Sequence, residues 1–242
     1  MTSEAPLGTR TGSRLRGVIF DLDDTLVLST VDYARFKRLI IDRISSMGDD
    51  PGLYSPDEGI IGLIDRFSER MLGKGWTKGQ VNETLDEFEA IMDSVEMERV
   101  HETRVLEGAR ELLEYLDSRG VRIGILTRGC ATYAEEALRL SGLRDHVHAL
   151  ECRNPSMPAK PNPEPYWHLV EQLGLRPEET VFVGDYLLDA ICAQRAGVPF
   201  IGVMTGDLTE EQLREAGSVA VFPSVAHLVP WFESVLETDN EL

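Results

Sequence analysis

The sequence has little cysteine, little positive charge and no long apolar run, and each shortage narrows what the protein can be. Three cysteines in 242 residues, without a C-x-x-C pair, predict a reduced protein of the cytoplasm. No stretch is apolar enough to cross a bilayer. Acidic residues outnumber basic ones by 42 to 24, which gives a formal net charge of -18. We therefore expect neither nucleic acid nor an anionic membrane among the partners.

Lysine is particularly scarce, because only four of the 24 basic residues are lysines. Lys160 is the only lysine from residue 79 onward, and it lies between Pro158 and Pro161. Prolines on both sides stiffen a loop and fix the direction in which its ammonium group points. Since a compact ammonium and a planar guanidinium are not equivalent at a tight site, Lys160 is a candidate functional residue.

Most of the chain alternates between short apolar runs and amphipathic helical patterns. With 42% hydrophobic residues it can bury a core as one large domain or two modest ones. The apolar runs that read as strands are 17–21, 121–126, 147–150, 181–183, 200–204 and 219–222. Thr209 and Gln212 form a capping box for one of the later helices. This alternation predicts an α/β fold, with a Rossmann-like parallel sheet core over residues 17–27 and 108–242.

Residues 28–107 have a different pattern, which is helical throughout. Apolar stripes at helical spacing run over residues 36–47, 60–71 and 81–95, and Thr77 with Gln80 can cap the third helix. We predict an α-helical module inserted just after the first strand. Residues 1–16 are polar, lack the apolar core of a signal sequence, and are expected to form a mobile tail.

Polar residues follow several of the predicted strands. Asp21 and Asp23 follow the first, and they project to one side because side chains alternate along a strand. Thr127 follows the run 121–126, and Asp185 follows the run 181–183, with Asp189 four residues later. In open α/β sheets, ligands bind at the carboxyl ends of the strands. We therefore expect these residues and Lys160 to meet at one edge of the sheet.

This combination of residue types suits phosphoryl transfer. Asp21 would attack phosphorus and become an aspartyl phosphate, while Asp23 would act as general acid and then general base. Thr127 and Lys160 would hold the phosphoryl oxygens. Because hard oxygen ligands favour Mg²⁺ over zinc, Asp185 and Asp189 are candidates to complete a magnesium site. A protein this acidic needs such a locally positive or metal-bearing site to bind an anion.

The ordered set formed by Asp21-Leu22-Asp23-Asp24-Thr25, Thr127, Lys160, and Gly184-Asp185 with Asp189 resembles the haloacid dehalogenase superfamily of phosphohydrolases. The resemblance covers residues 17–222 and is nearest to the phosphoglycolate phosphatase and β-phosphoglucomutase branch. It implies that residues 28–107 form the family's helical cap. It also implies that the backbone carbonyl of Asp23 binds Mg²⁺ together with the side chains of Asp21, Asp185 and Asp189.

The chain also departs from the pattern of that branch. Asp24 stands where phosphoglycolate phosphatases usually have glycine, and Tyr186 replaces the usual serine after Asp185. Arg128 stands where asparagine is common, and it is a candidate additional phosphate-binding residue. The candidate anion contacts of the cap are Arg35, Lys37, Arg38, Lys74 and Lys78.

We expect a Mg²⁺-dependent phosphatase of a small phosphorylated metabolite, either phosphoglycolate-like or a sugar phosphate, that is a monomer or homodimer. A β-phosphoglucomutase-like phosphomutase is the alternative, since it would use the same chemistry at Asp21. A binding protein that retains the fold without catalysis is a third hypothesis. Dehalogenation is disfavoured because the family members that perform it lack the second aspartate, whereas Asp23 is present here.

Overall fold

The structure, a computed structural model, describes residues 14–154 and 157–238. Most of the predicted tail, residues 1–13, lies outside the described residues. In chain order the strands are β1 (Gly17–Phe20), β2 (Val27–Leu28), β3 (Arg104–Val105), β4 (Arg122–Leu126), β5 (Ala149–Glu151), β6 (Thr180–Gly184), β7 (Phe200–Val203) and β8 (Ala220–Phe222). The α-helices are α1 (Tyr33–Ser46), α2 (Ile60–Gly73), α3 (Lys78–Glu98), α4 (Ala109–Ser118), α5 (Ala131–Ser141), α6 (Glu164–Gln172), α7 (Leu187–Ala196), α8 (Glu210–Glu215) and α9 (Leu228–Thr238).

The chain divides into two compact units. One comprises the residues up to Ser29 together with those from His101 onward, and the other is Thr30–Val100. The division lies a few residues inside the predicted limits of 28–107. The reason is the pairing of β2 with β3, which forms a small antiparallel sheet and keeps residues 27–28 and 104–105 in the first unit.

The first unit is built on a six-stranded parallel sheet in the order β5-β4-β1-β6-β7-β8. Strand β1 lies at its centre, with β4 and β6 as its two neighbours. All four residues of β1 are buried, as expected for a strand covered by helices on both faces. The predicted α/β, Rossmann-like fold is therefore confirmed. Its central strand and the two neighbours are the strands whose carboxyl ends precede Asp21, Thr127 and Asp185.

The six strands begin and end within one residue of their predicted bounds, except that β5 begins two residues later. Strand β5 begins at Ala149 rather than at Val147, because the backbone N–H of Val147 instead closes a 3₁₀ turn on the carbonyl of Arg144. Arg16, assigned to the tail, continues the sheet next to β1. Its N–H donates to Glu179 O, and its carbonyl accepts from Arg122 N, so the backbone hydrogen bonding of the sheet already includes Arg16.

Helices α4 to α9 surround this sheet, and α5 and α7 end at the left-handed glycines Gly142 and Gly197. One core cluster joins the inner faces of α6 and α7 to the sheet through Tyr166, Leu169, Phe182 and Phe200 among others. The capping box of Thr209 and Gln212 begins α8 as predicted. Packing of these helices against the sheet fixes the positions of the strand ends.

The second unit consists of α1, α2 and α3 around their own core. Phe67 and Phe88 are fully buried, and their rings meet edge to face with centroids 5.0 Å apart. Thr77 and Gln80 form the predicted capping box at the start of α3.

Over the ranges that the structure describes, no helix has both the length and the apolarity needed to cross a membrane.

Candidate active site

Asp21, Lys160 and Asp189 form a buried chain of ion pairs at the carboxyl edge of the sheet. Asp21 directly follows β1, and its N–H donates to Val183 O at 2.9 Å, so the backbone of β6 fixes its position. Lys160 comes from the loop between β5 and α6. Its Nζ donates to Asp21 Oδ1 at 2.5 Å and to Asp189 Oδ1 at 2.7 Å. All three side chains are at most 10% exposed.

Asp185 joins this group from the end of β6. One carboxylate oxygen each from Asp21, Asp185 and Asp189 can be chosen so that all three lie within 4.8 Å of one another. In the sequence Asp21 follows one strand and Asp185 and Asp189 follow another, and the structure brings the three together. Asp189 sits in the first turn of α7, where it also accepts a hydrogen bond from Tyr186 N at 3.2 Å and so helps to begin that helix.

The electrostatics of the group favour an added cation. Burial raises the pKa of Asp21 well above its usual value, the Lys160 ammonium opposes that rise, and the neighbouring carboxylates add to it. Burial, followed by the charge of Asp189, raises the pKa of Asp185 to about 7. The two carboxylates next to it raise the pKa of Lys160 despite burial, so that side chain stays an ammonium. One ammonium cannot neutralise three buried carboxylates.

The donor set fits a magnesium ion. Three carboxylates within 4.8 Å offer the hard oxygen ligands that Mg²⁺ prefers. Gly206, three residues after the end of β7, lies directly against Asp185, because a Cβ at that position would overlap Asp185 Oδ2. The absence of a side chain at residue 206 therefore makes room for the Asp185 carboxylate. Asp21, Asp185 and Asp189 are the side chains that would hold the metal.

Asp23 has its own set of contacts on the side of β4. Tyr133 OH donates to Asp23 Oδ1 at 2.5 Å, and Thr127 Oγ1 lies 3.5 Å from Asp23 Oδ2. Thr127 is buried, and its hydroxyl oxygen accepts from Gly129 N at 3.0 Å. Asp23 lies near enough to Asp21 for its negative charge to add to the rise in the pKa of Asp21.

The turn after Asp23 supports the carboxylates. Asp24 has a φ of 57°, which is a left-handed conformation. Glycine suits such a position, and aspartate tolerates it better than most other residues. The Asp24 side chain accepts from Ser29 N at 3.1 Å. Thr25 is fully buried and donates to Asp185 Oδ1 at 2.7 Å.

The contacts found for Arg128 and for several candidate anion-binding residues of the helical unit are with other groups of the protein. The carbonyl of Arg128 accepts from Arg153 Nη1 at 2.9 Å, and its phosphate-binding role stays a prediction. Within the helical unit Arg35 pairs with Glu98 at 2.9 Å, and Lys74 pairs with Asp49 at 2.6 Å. Lys37 donates to the Glu58 carbonyl. Arg38 is 3.9 Å from Asp32.

Tyr133 and Gly206 shape this site but were not predicted from the sequence. The role of Thr25 was not predicted either. Tyr133 lies inside a helix, where a buried aromatic residue reads as core. Gly206 has no side chain to mark it. Thr25 belongs to the first motif, but its partner Asp185 lies 160 positions away, so no local pattern predicts their contact. A tyrosine just inside the helix that follows a functional strand end was the available clue.

Comparisons with known proteins identify relatives of this chain and proteins with the same fold. Phosphoglycolate phosphatase of Rhodospirillum rubrum is 29% identical over 219 residues, covering 89% of this chain and 90% of that protein. N-acetylmuramic acid 6-phosphate phosphatase of Pseudomonas putida is 27% identical over 203 residues, covering 82% and 86%. A solved candidate haloacid dehalogenase-like hydrolase from Bacteroides fragilis has the same fold, with a TM-score of 0.65, 23% identity and coverage of 89% of this chain and all of that one.

The family model of the haloacid dehalogenase-like hydrolases matches residues 18–203. This range begins within β1 and ends with β7, so it includes every residue of the buried carboxylate group. The resemblance inferred from the motifs is confirmed, and the chain belongs to the haloacid dehalogenase-like hydrolase family.

Proposed function

We propose that the protein is a Mg²⁺-dependent phosphatase that hydrolyses a small phosphorylated metabolite through an aspartyl phosphate on Asp21. The observation that carries the proposal is the contact of Lys160 Nζ with Asp21 Oδ1 and Asp189 Oδ1, beside Asp185. An ammonium and three carboxylates at one sheet edge combine a nucleophile, an anion-binding cation and a metal-binding set. Membership of the hydrolase family supports the same conclusion.

In the first step, a carboxylate oxygen of Asp21 forms a bond to phosphorus while the bond from phosphorus to the leaving oxygen breaks. Asp23 gives its proton to that leaving oxygen. Lys160 and Thr127 donate to the phosphoryl oxygens and hold the group in line with Asp21. Lys160 is suited to this role because its contacts with two buried carboxylates fix its ammonium.

In the second step, water forms the new bond to phosphorus and the bond from Asp21 to phosphorus breaks. Asp23, now a carboxylate, accepts the proton of that water and is restored as an acid. The same residue therefore serves both steps, which explains why it must sit beside the nucleophile rather than elsewhere in the site. The products are inorganic phosphate and the dephosphorylated alcohol.

A bound Mg²⁺ would supply positive charge that offsets the negative charge accumulating on the phosphoryl oxygens. Asp21, Asp185 and Asp189 would hold it through their side chains, and Asp23 through its backbone carbonyl. The role of Thr25 and Gly206 in that arrangement is to keep the Asp185 carboxylate in place, since one donates to it and the other packs against it.

The names of two relatives support the class of substrate. They act on phosphoglycolate and on N-acetylmuramic acid 6-phosphate, both small phosphate monoesters. We assign this chain the same class without choosing between a phosphorylated acid and a phosphorylated sugar. Cys130, Cys152 and Cys192, all among the described residues, form no disulfide, which supports a cytoplasmic location, where cysteines stay reduced.

The test is hydrolysis of p-nitrophenyl phosphate, followed by a panel containing phosphoglycolate, N-acetylmuramic acid 6-phosphate and glucose 1-phosphate. Asp21→Asn removes the nucleophile and is expected to abolish phosphate release, at least about a thousandfold, without changing the unfolding midpoint greatly. Asp145→Asn makes the same chemical change at an exposed position and serves as the control. EDTA should abolish activity and Mg²⁺ should restore it.

Two results would contradict the proposal: normal turnover by Asp21→Asn, or activity that EDTA leaves unchanged. If glucose 1-phosphate instead yields an isomerised sugar phosphate without release of phosphate, the phosphomutase alternative is correct. Retention of fold with no turnover on any member of the panel, with or without Mg²⁺, would favour the non-catalytic binding protein.

A further inference from the structure

Tyr133 makes a contact that packing does not require. Its side chain is fully buried in the first turn of α5, and its hydroxyl donates to Asp23 Oδ1 at 2.5 Å. A phenylalanine would fill almost the same volume, so the hydroxyl is the part of the side chain that needs an explanation. The residue it contacts is the proposed general acid and base, 110 positions earlier in the chain.

The residues just before Tyr133 orient its ring toward Asp23. Cys130 caps α5 and accepts from Tyr133 N with its sulfur, which fixes the start of the helix. Gly129 packs against the ring so closely that a Cβ there would lie 2.9 Å from Tyr133 Cδ1. Gly129 and Cys130, between β4 and α5, therefore leave space for the Tyr133 ring and restrict it to the orientation that reaches Asp23.

The two oxygens of the Asp23 carboxylate are not equivalent. Oδ1 takes a short hydrogen bond from Tyr133, whereas Oδ2 lies 3.5 Å from Thr127 Oγ1, at the limit of hydrogen bonding. A carboxylate anchored through one oxygen has a fixed plane, so the other oxygen has a fixed direction. Proton transfer requires that direction, because donor and acceptor must come within hydrogen-bond distance in the right alignment.

We propose that Tyr133 is a positioning residue for Asp23: it anchors Oδ1 so that Oδ2 exchanges the proton with the leaving oxygen and then with water. This inference rests on the proposed phosphatase function. Tyr133 keeps its own proton throughout, while the Asp23 proton passes to the leaving group in the first step and returns from water in the second.

Tyr166 provides a matched control within the same unit. It too is a fully buried tyrosine, but its hydroxyl pairs with Thr180 Oγ1 at 2.8 Å, in the core between α6 and β6. Tyr133→Phe removes the hydroxyl that contacts Asp23, and Tyr166→Phe removes the hydroxyl that contacts Thr180. They differ in whether the partner takes part in the proposed chemistry.

The experiment compares phenyl phosphate with p-nitrophenyl phosphate. The two are similar in shape, but the leaving oxygen of phenyl phosphate is more basic and depends more on a proton from Asp23. Tyr133→Phe is expected to lower kcat/KM for phenyl phosphate about tenfold and for p-nitrophenyl phosphate less than about threefold. Tyr166→Phe should change both by the same factor. Because both substrates are measured on one preparation, their ratio is independent of the folded fraction.

A double-mutant cycle with Asp23→Asn tests whether Tyr133 acts through Asp23. Without the proton donor, adding Tyr133→Phe should produce no further change in the ratio between the two substrates. Equal losses on both substrates in Tyr133→Phe, or a change of ratio that persists in the Asp23→Asn background, would overturn the inference. Those outcomes are distinct from failure of the proposed function, in which the unaltered protein, or Asp21→Asn, would already behave differently from expectation.

Discussion

Thr25 donates its hydroxyl hydrogen to Asp185 Oδ1 across 2.7 Å, although 160 positions separate the two residues. Thr25 is fully buried in the turn after β1, and Asp185 stands at the end of the neighbouring strand β6. Adjacent parallel strands thus place a donor from one loop against an acceptor from the next. The hydrogen bond fixes a carboxylate that the proposed function assigns to Mg²⁺.

Replacing Thr25 with valine tests this relationship. Valine keeps the branched shape but cannot donate, so Asp185 loses its fixed orientation and we expect the Mg²⁺ concentration for half-maximal activity to rise about tenfold. The measurement is a Mg²⁺ titration of phosphate release, with the Mg²⁺-induced shift of the unfolding midpoint as a second readout. Thr25→Ser retains the hydroxyl and should behave like the unaltered protein. An unchanged half-saturation in the valine variant would show that the bond does not organise the metal site.

Gly206 makes a second prediction about the same carboxylate. A methyl group there would overlap Asp185 Oδ2, so Gly206→Ala must displace the Asp185 side chain. We expect activity at fixed Mg²⁺ to fall at least about tenfold, with part of the loss recovered at high Mg²⁺. Gly73→Ala is the control, because that glycine ends α2 with open space around it. Full activity of Gly206→Ala would mean that Asp185 does not need its present position.

Much of the fold follows from the sequence because periodicity and capping are local. The six apolar runs became the six parallel strands, and the three helical stripes between residues 28 and 107 became α1, α2 and α3. The β2–β3 pair was not predicted, since two residues per strand give no alternation to detect. Its formation depends on two segments more than 70 positions apart, which local patterns cannot relate.

The residues of the site also fall into two groups: those that sequence patterns predict and those that they do not. Asp21, Lys160, Asp185 and Asp189 were predicted to meet because carboxyl ends of parallel strands share one edge. Tyr133 was missed because its function depends on the direction of one hydroxyl inside a core, which the sequence does not encode locally. For the same reason Gly206 could not be found: its importance is the absence of atoms beside Asp185, a feature that only coordinates reveal.

Asp49 supports the helical unit through a buried network and makes a prediction about acid stability. Its Oδ1 accepts from Arg70 and Lys74 at 2.7 and 2.6 Å, and its Oδ2 accepts from Tyr54 OH at 2.6 Å. Hydrogen bonds from Arg70, more than any other contact, hold the pKa of Asp49 below its usual range, and burial only partly opposes them. Burial, with the Asp49 contact adding to it, raises the pKa of Tyr54 to about 12.

A carboxyl whose pKa is lower in the folded state stabilises the fold at pH values above its ordinary pKa of about 3.9. That contribution declines as the pH falls below this value, because the unfolded chain then binds the proton first. Asp49→Asn is expected to lower the free energy of unfolding by about 2 kcal/mol near neutral pH, since the amide oxygen is a weaker acceptor and the amide nitrogen cannot accept. The deficit relative to the unaltered protein should shrink as the medium is acidified.

The measurement is the thermal unfolding midpoint over a range from about pH 7 to about pH 3, compared between Asp49→Asn and the unaltered protein. Asp57→Asn, at an exposed position of the same unit, controls for the loss of one negative charge. A deficit that stays constant with pH would mean that Asp49 contributes through shape and neutral hydrogen bonds alone. A deficit that is constant above about pH 4 and shrinks progressively below it would show that its ionised form stabilises the helical unit through Arg70 and Lys74.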